Sequence, residues 1–315
     1  MLKLYVGITD SQWYEFLSRG PPRDEVNFWQ PSGRTQFRAL RPGELFLFKL
    51  HSPRNFIVGG GVFGHASLLP VSLAWQVFGE SNGAPSLAAM RERVAKYRKE
   101  PEDRSRDYQI GCRLLEQPFF WPEELWLPVP ASWAPSIQVG KAFDLEEPNG
   151  LDLWEAVQDR LAIAAQAVPR PIQEPGVSEA PAPRFGQPRL IEPRLGQGTF
   201  RIAVTDAYER RCAVTEEKTL PILDAAHIRS YAEGGVNEIN NGLLLRTDVH
   251  RLFYLGYVTI DSGHRFVVGR RLKEDFDNGR HYYEMHGQRV RPPRRSDSVP
   301  SANQLDWHRN VRFLG

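Results

Sequence analysis

The sequence predicts an α+β chain built in two parts. Three observations carry this reading. Short apolar stretches alternate with helical spacings before residue 165, seven prolines crowd into 168–194, and a strand–loop–strand–helix order follows residue 220. The 315 residues are 41% apolar and 25% charged, which is material for two cores and excludes disordered, collagen-like and coiled-coil classes. No apolar run approaches the ~18 residues a spanning helix needs, so no membrane partner is expected. The opening MLKLYVGITDSQWYEF has neither a basic n-region nor a long apolar run, so a secretory leader is not expected and a cytoplasmic location is. Cys112 and Cys212 offer no disulfide framework and no four-thiolate site, so no structural zinc is expected.

The prolines set the division. Pro169, Pro171, Pro175, Pro181, Pro183, Pro188 and Pro193 lie among Gly, Ser, Gln and Glu with few large apolar residues. Such a segment cannot bury enough surface to offset its ordering entropy and reads as a stiff, extended linker. The expected parts are therefore 1–165, a linker 166–194, and 195–315. The overall charge of +2 splits into 18 basic and 20 acidic residues before 166 and 22 against 18 after it. Seven of the eight tryptophans precede residue 155.

In the first part, Leu2–Thr9, Glu44–Leu50, Asn55–Gly64 and Asp107–Leu115 read as strands. Gly59, Gly60 and Gly61 imply a bulge, a tight bend or a close backbone approach in the third. Asp10–Ser18, Val71–Val77, Ser86–Lys99 and Leu151–Ala165 read as helices. Short strands with helices between them suggest a small, strongly curved sheet or partly closed barrel. In the second part, Pro221–Ile228 and Gly242–Arg246 read as strands around a polar loop. Thr247 then looks like the N-cap of a helix, Asp248–Leu255, that Gly256 ends. A hairpin, Tyr257–Asp261 with Arg265–Val268, follows.

The stretch LDAAHIRSYAEGGVNEINNGLLLRTDVHRLF from Leu223 places His227 at the end of a strand, Asn241 beyond a loop, and His250 in the first turn of a helix. With GQGTFR (Gly196–Arg201), RCAVT (Arg211–Thr215) and GYVTID, it resembles bacterial HNH endonucleases of the McrA-like branch, from about Leu195 to Asp261. The resemblance implies a ββα-metal finger with one divalent cation, Mg2+ or Mn2+, against a scissile phosphate. His227 would be the general base, since an imidazole near its ordinary pKa of ~6.5 accepts a proton from water at neutral pH. Asn241 would brace the loop that orients it, and His250 would ligate the metal. Many such sequences carry a second ligand immediately before the catalytic His, where this chain has Ala226. The nearest carboxylate is Asp224, and strand alternation sets it and His227 on opposite faces, so a bulge is expected if both serve one site. Arg201, Arg289, Arg291, Arg294 and Arg295 are the expected phosphate contacts.

PGELFLFKL (Pro42–Leu50) followed by NFIVGGGVFG (Asn55–Gly64) resembles the core of PUA-like domains, the superfamily of SRA, EVE and YTH readers. That likeness implies a domain that flips a modified base into an aromatic pocket, at a cost of a few kcal/mol of lost stacking. Asn27, Phe28, Trp29 and Ser32, in a segment between strands, and Trp75, in a helix, are the expected pocket residues. The combined layout is that of a modification-dependent restriction enzyme acting on double-stranded DNA. A single finger cuts one strand, so a double-strand break asks for a homodimer or two binding events. Two other readings stay open: an HNH nuclease whose first part binds RNA, a nucleotide signal or a protein, and a non-catalytic DNA-binding protein with a degenerate finger.

Overall fold

The computed structural model describes residues 2–98, 107–167, 196–230 and 233–315. It divides into two compact units, Met1–Pro193 and Arg194–Gly315. The expected proline-rich linker lies, from residue 168, outside the described residues. Among the described residues no helix is long and apolar enough to cross a membrane.

The N-terminal unit is a seven-stranded mixed sheet with helices. Its strands are β1 (Lys3–Thr9), β2 (Glu25–Gln30), β3 (Leu45–Leu50), β4 (Phe56–Pro70), β5 (Gln109–Phe120), β6 (Leu127–Pro128) and β7 (Gly140–Asp144). They run in the order β2-β5-β4-β3-β1-β7, with β6 paired to β4. The β1–β3 pairing is parallel and the others are antiparallel. The helices are α1 (Ser11–Arg19), α2 (Val71–Phe78), α3 (Leu87–Ala95) and α4 (Pro148–Ala167). Asp10 starts α1 by accepting from the Trp13 amide at 2.9 Å. Leu4, Val6, Leu47 and Ile57 of the sheet form one core with Leu153 and Val157 of α4.

Two expectations in this unit are corrected. Glu25–Gln30, expected between strands, is itself β2, and it pairs with β5 over its whole length. The glycine-bearing strand runs well past Gly64 to Pro70, and its register with β5 shifts between Gly60 and Val62 and again between Phe63 and His65. The glycines answer to close approach. A Cβ on Gly59 would strike the Phe119 carbonyl, and one on Gly60 would lie 2.6 Å from the Phe46 carbonyl.

The C-terminal unit opens with α5 (Gln197–Ala207), followed by β8 (Leu223–His227), β9 (Gly242–Arg246), α6 (Thr247–Tyr254), β10 (Val258–Ile260) and β11 (Phe266–Val268). β8 and β9 form an antiparallel pair with continuous register from Leu223↔Arg246 to His227↔Gly242. Phe200 and Val204 of α5, Leu243–Leu245 of β9, and Val249 and Phe253 of α6 pack into one core. The amphipathic spacing of α6 buries Val249 and Phe253 and leaves His250 on the half-buried flank. Thr247 does not cap α6 by its side chain. Its hydroxyl instead donates to the Ile222 carbonyl at 2.9 Å, tying the helix start to the turn before β8.

Candidate active site and ligand cavity

The β8–β9 hairpin carries candidate site residues of the C-terminal unit. His227 is the last residue of β8, where the chain leaves the ladder, and its ring lies flat on Phe200 of α5, centroids 4.0 Å apart and planes 13° from parallel. Its Nε2 lies 2.8 Å from Asn237 Oδ1. An amide oxygen only accepts, so Nε2 carries the hydrogen and Nδ1 keeps the lone pair. Burial, with the nearby His250 adding to it, holds the His227 pKa below the ordinary imidazole value, against the opposing Asn237 bond. The ring is therefore neutral, tautomerically fixed and basic at Nδ1.

Asn241 is fully buried just before β9. Its Oδ1 accepts from the Arg229 amide at 3.0 Å, while Nδ2 donates to the Arg229 and Val236 carbonyls at 2.9 and 2.8 Å. Its own carbonyl accepts from the Ile228 amide at 2.9 Å. All of its polar atoms are thus spent on closing the loop that leaves His227.

Asp224 and His250 meet across the hairpin and α6, with Oδ2 and Nδ1 3.2 Å apart. The bulge expected if Asp224 and His227 both served one site is absent, since β8 pairs with β9 in continuous register. Asp224 turns toward α6, and His227, at the strand's end, is close enough to feel the charge of His250. The donors suit a divalent cation. A carboxylate oxygen and an imidazole nitrogen are donor types such a cation takes; here they are joined by a hydrogen bond, and both side chains are about one-third exposed, at 37% and 31%. Among the described residues no group of three or more His, Cys, Asp or Glu side chains is placed to hold a metal ion. Water and substrate oxygens would have to supply the other positions.

The expected phosphate-contacting arginines differ in their freedom. Arg289 and Arg294 are exposed, and Arg201 is half-buried on α5 beside Phe200. Arg291 is held by Glu209 and Glu216, and Arg295 by Asp297. Cys212 is buried, and its sulfur accepts from the amides of Val214, Thr215 and Arg246, pinning a turn onto β9.

The N-terminal unit contains a cavity of about 700 Å³. Of the residues expected there, Phe28, Trp29 and Ser32 line it. Asn27 does not: it is fully buried and donates to Asn82 Oδ1 and the Cys112 sulfur, locking β2 to its neighbours. Trp75, on α2, does not line it either. Sequence reasoning missed Lys49, His51, Tyr97, Arg113 and Trp133, which come from four separate parts of the chain. It also missed Asn237, whose only sequence signal is its place in the loop between His227 and Asn241.

Residues 212–261 match the HNH_2 family model, described as HNH endonuclease. The C-terminal unit carries an HNH endonuclease domain. The matched segment spans the Cys212 turn, β8, β9, α6 and β10. No curated protein matches the chain. Among solved structures, the ASCH protein of Zymomonas mobilis is 14% identical over 48% of this chain and 94% of its own, with a TM-score of 0.32. A "modification dependent TagI restriction endonuclease" is 13% identical over 98% of this chain and 81% of its own, with a TM-score of 0.27. Overlap at that level carries no argument about substrate.

Proposed function

We propose that this chain is a metal-dependent DNA endonuclease of restriction type, McrA-like in its finger, that recognises modified double-stranded DNA through a PUA-like N-terminal domain. The observation that carries this reading is the oriented His227 beside the Asp224–His250 pair, within an HNH endonuclease domain. A bound Mg2+ or Mn2+, held by Asp224 and His250, would supply Lewis-acid stabilisation of charge on the phosphate and leaving oxygen. Nδ1 of His227 takes the proton from the attacking water. Asn237 holds the ring in the tautomer that leaves Nδ1 unprotonated, and Phe200 fixes its plane. Asn241 keeps the loop closed so that these contacts persist. Arg201, Arg289 and Arg294 contact phosphates, while Arg291 and Arg295 would first have to exchange their carboxylate partners.

The N-terminal cavity would take the flipped base, with Trp29, Tyr97 and Trp133 offering aromatic faces. One finger cuts one strand, so a double-strand break requires a homodimer or a second binding event, and the protein would act in the cytoplasm. The reading is tested by digesting matched plasmids that carry 5-methylcytosine, 5-hydroxymethylcytosine, N6-methyladenine or no modification, with Mg2+ or Mn2+. Faster cutting of a modified plasmid, lost in His227→Ala, is expected. Equal cutting of all four would remove the reader and leave the nuclease. Cleavage by His227→Ala at the parent rate would remove the mechanism.

A further inference from the structure

Two cations line the N-terminal cavity, each nearly buried and, among the described residues, without a carboxylate partner. Lys49 is 2% exposed and Arg113 4% exposed, and both line the cavity. Burial drives each away from its charged form, with Tyr5 opposing it at Arg113 and no carboxylate among the described residues doing so. The cavity's one acid, Asp10, is already engaged: Oδ1 caps α1 and Oδ2 accepts from the Tyr97 hydroxyl at 2.6 Å.

The donors are under-used as well. The Lys49 ammonium gives two of its three hydrogens to the Leu50 carbonyl at 2.9 Å and Asn55 Oδ1 at 2.8 Å. It stands 5.3 Å from the centre of the Trp133 ring. Arg113 has five N–H donors, and among the described residues its hydrogen-bond acceptor is Gln30 Oε1. Its remaining neighbours are rings: Phe37 at 4.5 Å, with Tyr5, Phe28 and Phe46 between 5.6 and 5.8 Å. Rings stabilise the cation but accept little from its edge. Spare N–H donors of Lys49 and Arg113 therefore face the cavity, while the acceptors nearest them, Asn55 Oδ1 and Gln30 Oε1, are already engaged.

We propose that this cavity selects a base bearing an oxygen acceptor (carboxyl, formyl or hydroxymethyl) over one bearing a bare methyl. The inference rests on the reading of the N-terminal unit as a modified-base reader and names the class of modification it takes. A methyl group placed against buried N–H donors leaves them unpaired, and a site built to hydrogen-bond a group discriminates strongly against the analogue lacking it. A carboxylate does more, because it supplies the counter-charge that Lys49 and Arg113 lack. A volume of about 700 Å³ admits a whole nucleotide with its substituent.

The test is binding of the full chain, in EDTA so that no cutting intervenes, to duplexes differing at one cytosine: unmodified, 5-methyl, 5-hydroxymethyl or 5-carboxyl. Fluorescence anisotropy should rank 5-carboxyl about tenfold or more tighter than 5-methyl, with 5-hydroxymethyl between, since a hydrogen bond to a charged group is worth that much. Lys49→Met and Arg113→Met should each bring the 5-carboxyl to 5-methyl ratio toward unity, whatever each does to the absolute affinity. If Arg113→Met melts, as its loss from a ring cage allows, Lys49→Met decides the matter, a thermal melt reporting its folding. A 5-methyl duplex bound as tightly as the 5-carboxyl one, or a preference that survives Lys49→Met, overturns the inference and leaves the reader standing. Four duplexes bound alike overturn both.

Discussion

In the HNH finger, His227 meets Asn237 and Phe200, Asp224 meets His250, and Asn241 spends each of its polar atoms on the loop. In the N-terminal cavity, Lys49 and Arg113 lie almost wholly buried against rings, with no carboxylate partner among the described residues. His227, Asp224 and His250 are partly exposed and already oriented by other protein groups, so little has to rearrange when a phosphodiester arrives. The cavity's cations carry a desolvation penalty that the protein alone does not offset, so a ligand that supplies acceptors gains it back on binding. The first arrangement suits a step repeated on any backbone. The second suits discrimination among bases.

The largest effect that would break this comparison is expected at His227. His227→Ala removes the proposed base while leaving the buried core of Phe200, Val249 and Phe253 in place, and should cut the cleavage rate about a thousandfold with little change in melting temperature. A rate within a few-fold of the parent would mean that the oriented imidazole is not the base. Next come Asp224→Ala and His250→Ala, each of which should weaken Mn2+ binding by calorimetry at least roughly tenfold, with cleavage partly recovered at high Mn2+. Unchanged Mn2+ affinity in both variants would place the cation elsewhere.

Smaller, but more specific, is the loss expected at Asn237. Asn237→Ala should slow cleavage by roughly 10–100-fold without abolishing it, because the ring remains but its tautomer is no longer fixed. The pH profile of the parent supplies the accompanying sign. Only neutral His227 accepts a proton, and its pKa is held below the ordinary imidazole value, so the rate should stay level down to about pH 6.5 and fall only below it. An acid limb centred above pH 7 would contradict the burial that lowers His227.

The spacing of His227, Asn241 and His250 was legible because each sits at a fixed place in a local strand–loop–strand–helix order. Asp224 was legible as a residue type but not as a neighbour: its contact with His250 depends on where α6 crosses β8, which alternation along one strand does not encode. β2 was read as an inter-strand segment because VNFW lacks period-two alternation, and it lacks it because all four residues are buried. The cavity was half legible. Phe28, Trp29 and Ser32 share one stretch, whereas Lys49, Tyr97, Arg113 and Trp133 meet only when β3, the end of α3, β5 and the β6–β7 connection converge. Asn27 misled because a polar residue among aromatics reads as a base-edge contact, and here it is a buried tie to Asn82.

The smallest effect concerns a histidine outside the chemistry. His308 is 2% exposed, its ring stacked on Phe253 at 3.7 Å. Nε2 donates to the Phe253 carbonyl at 3.0 Å, and Nδ1 accepts from the Thr259 hydroxyl at 2.8 Å. Both nitrogens are satisfied by the neutral ring, and burial pushes the pKa down to about 4. An unfolded chain takes up the proton near pH 6.5, before the folded one does, so stability from this site is full above 6.5 and drains as pH falls toward 4. The gap corresponds to about 3 kcal/mol at the acid end. Hydrogen exchange of α6 peptides in the full chain, followed from pH 7.5 to 4.5, should show protection falling through that window. His308→Gln should start less stable but lose less protection over the same range, and a variant with the parent's pH slope would assign the acid sensitivity to other groups.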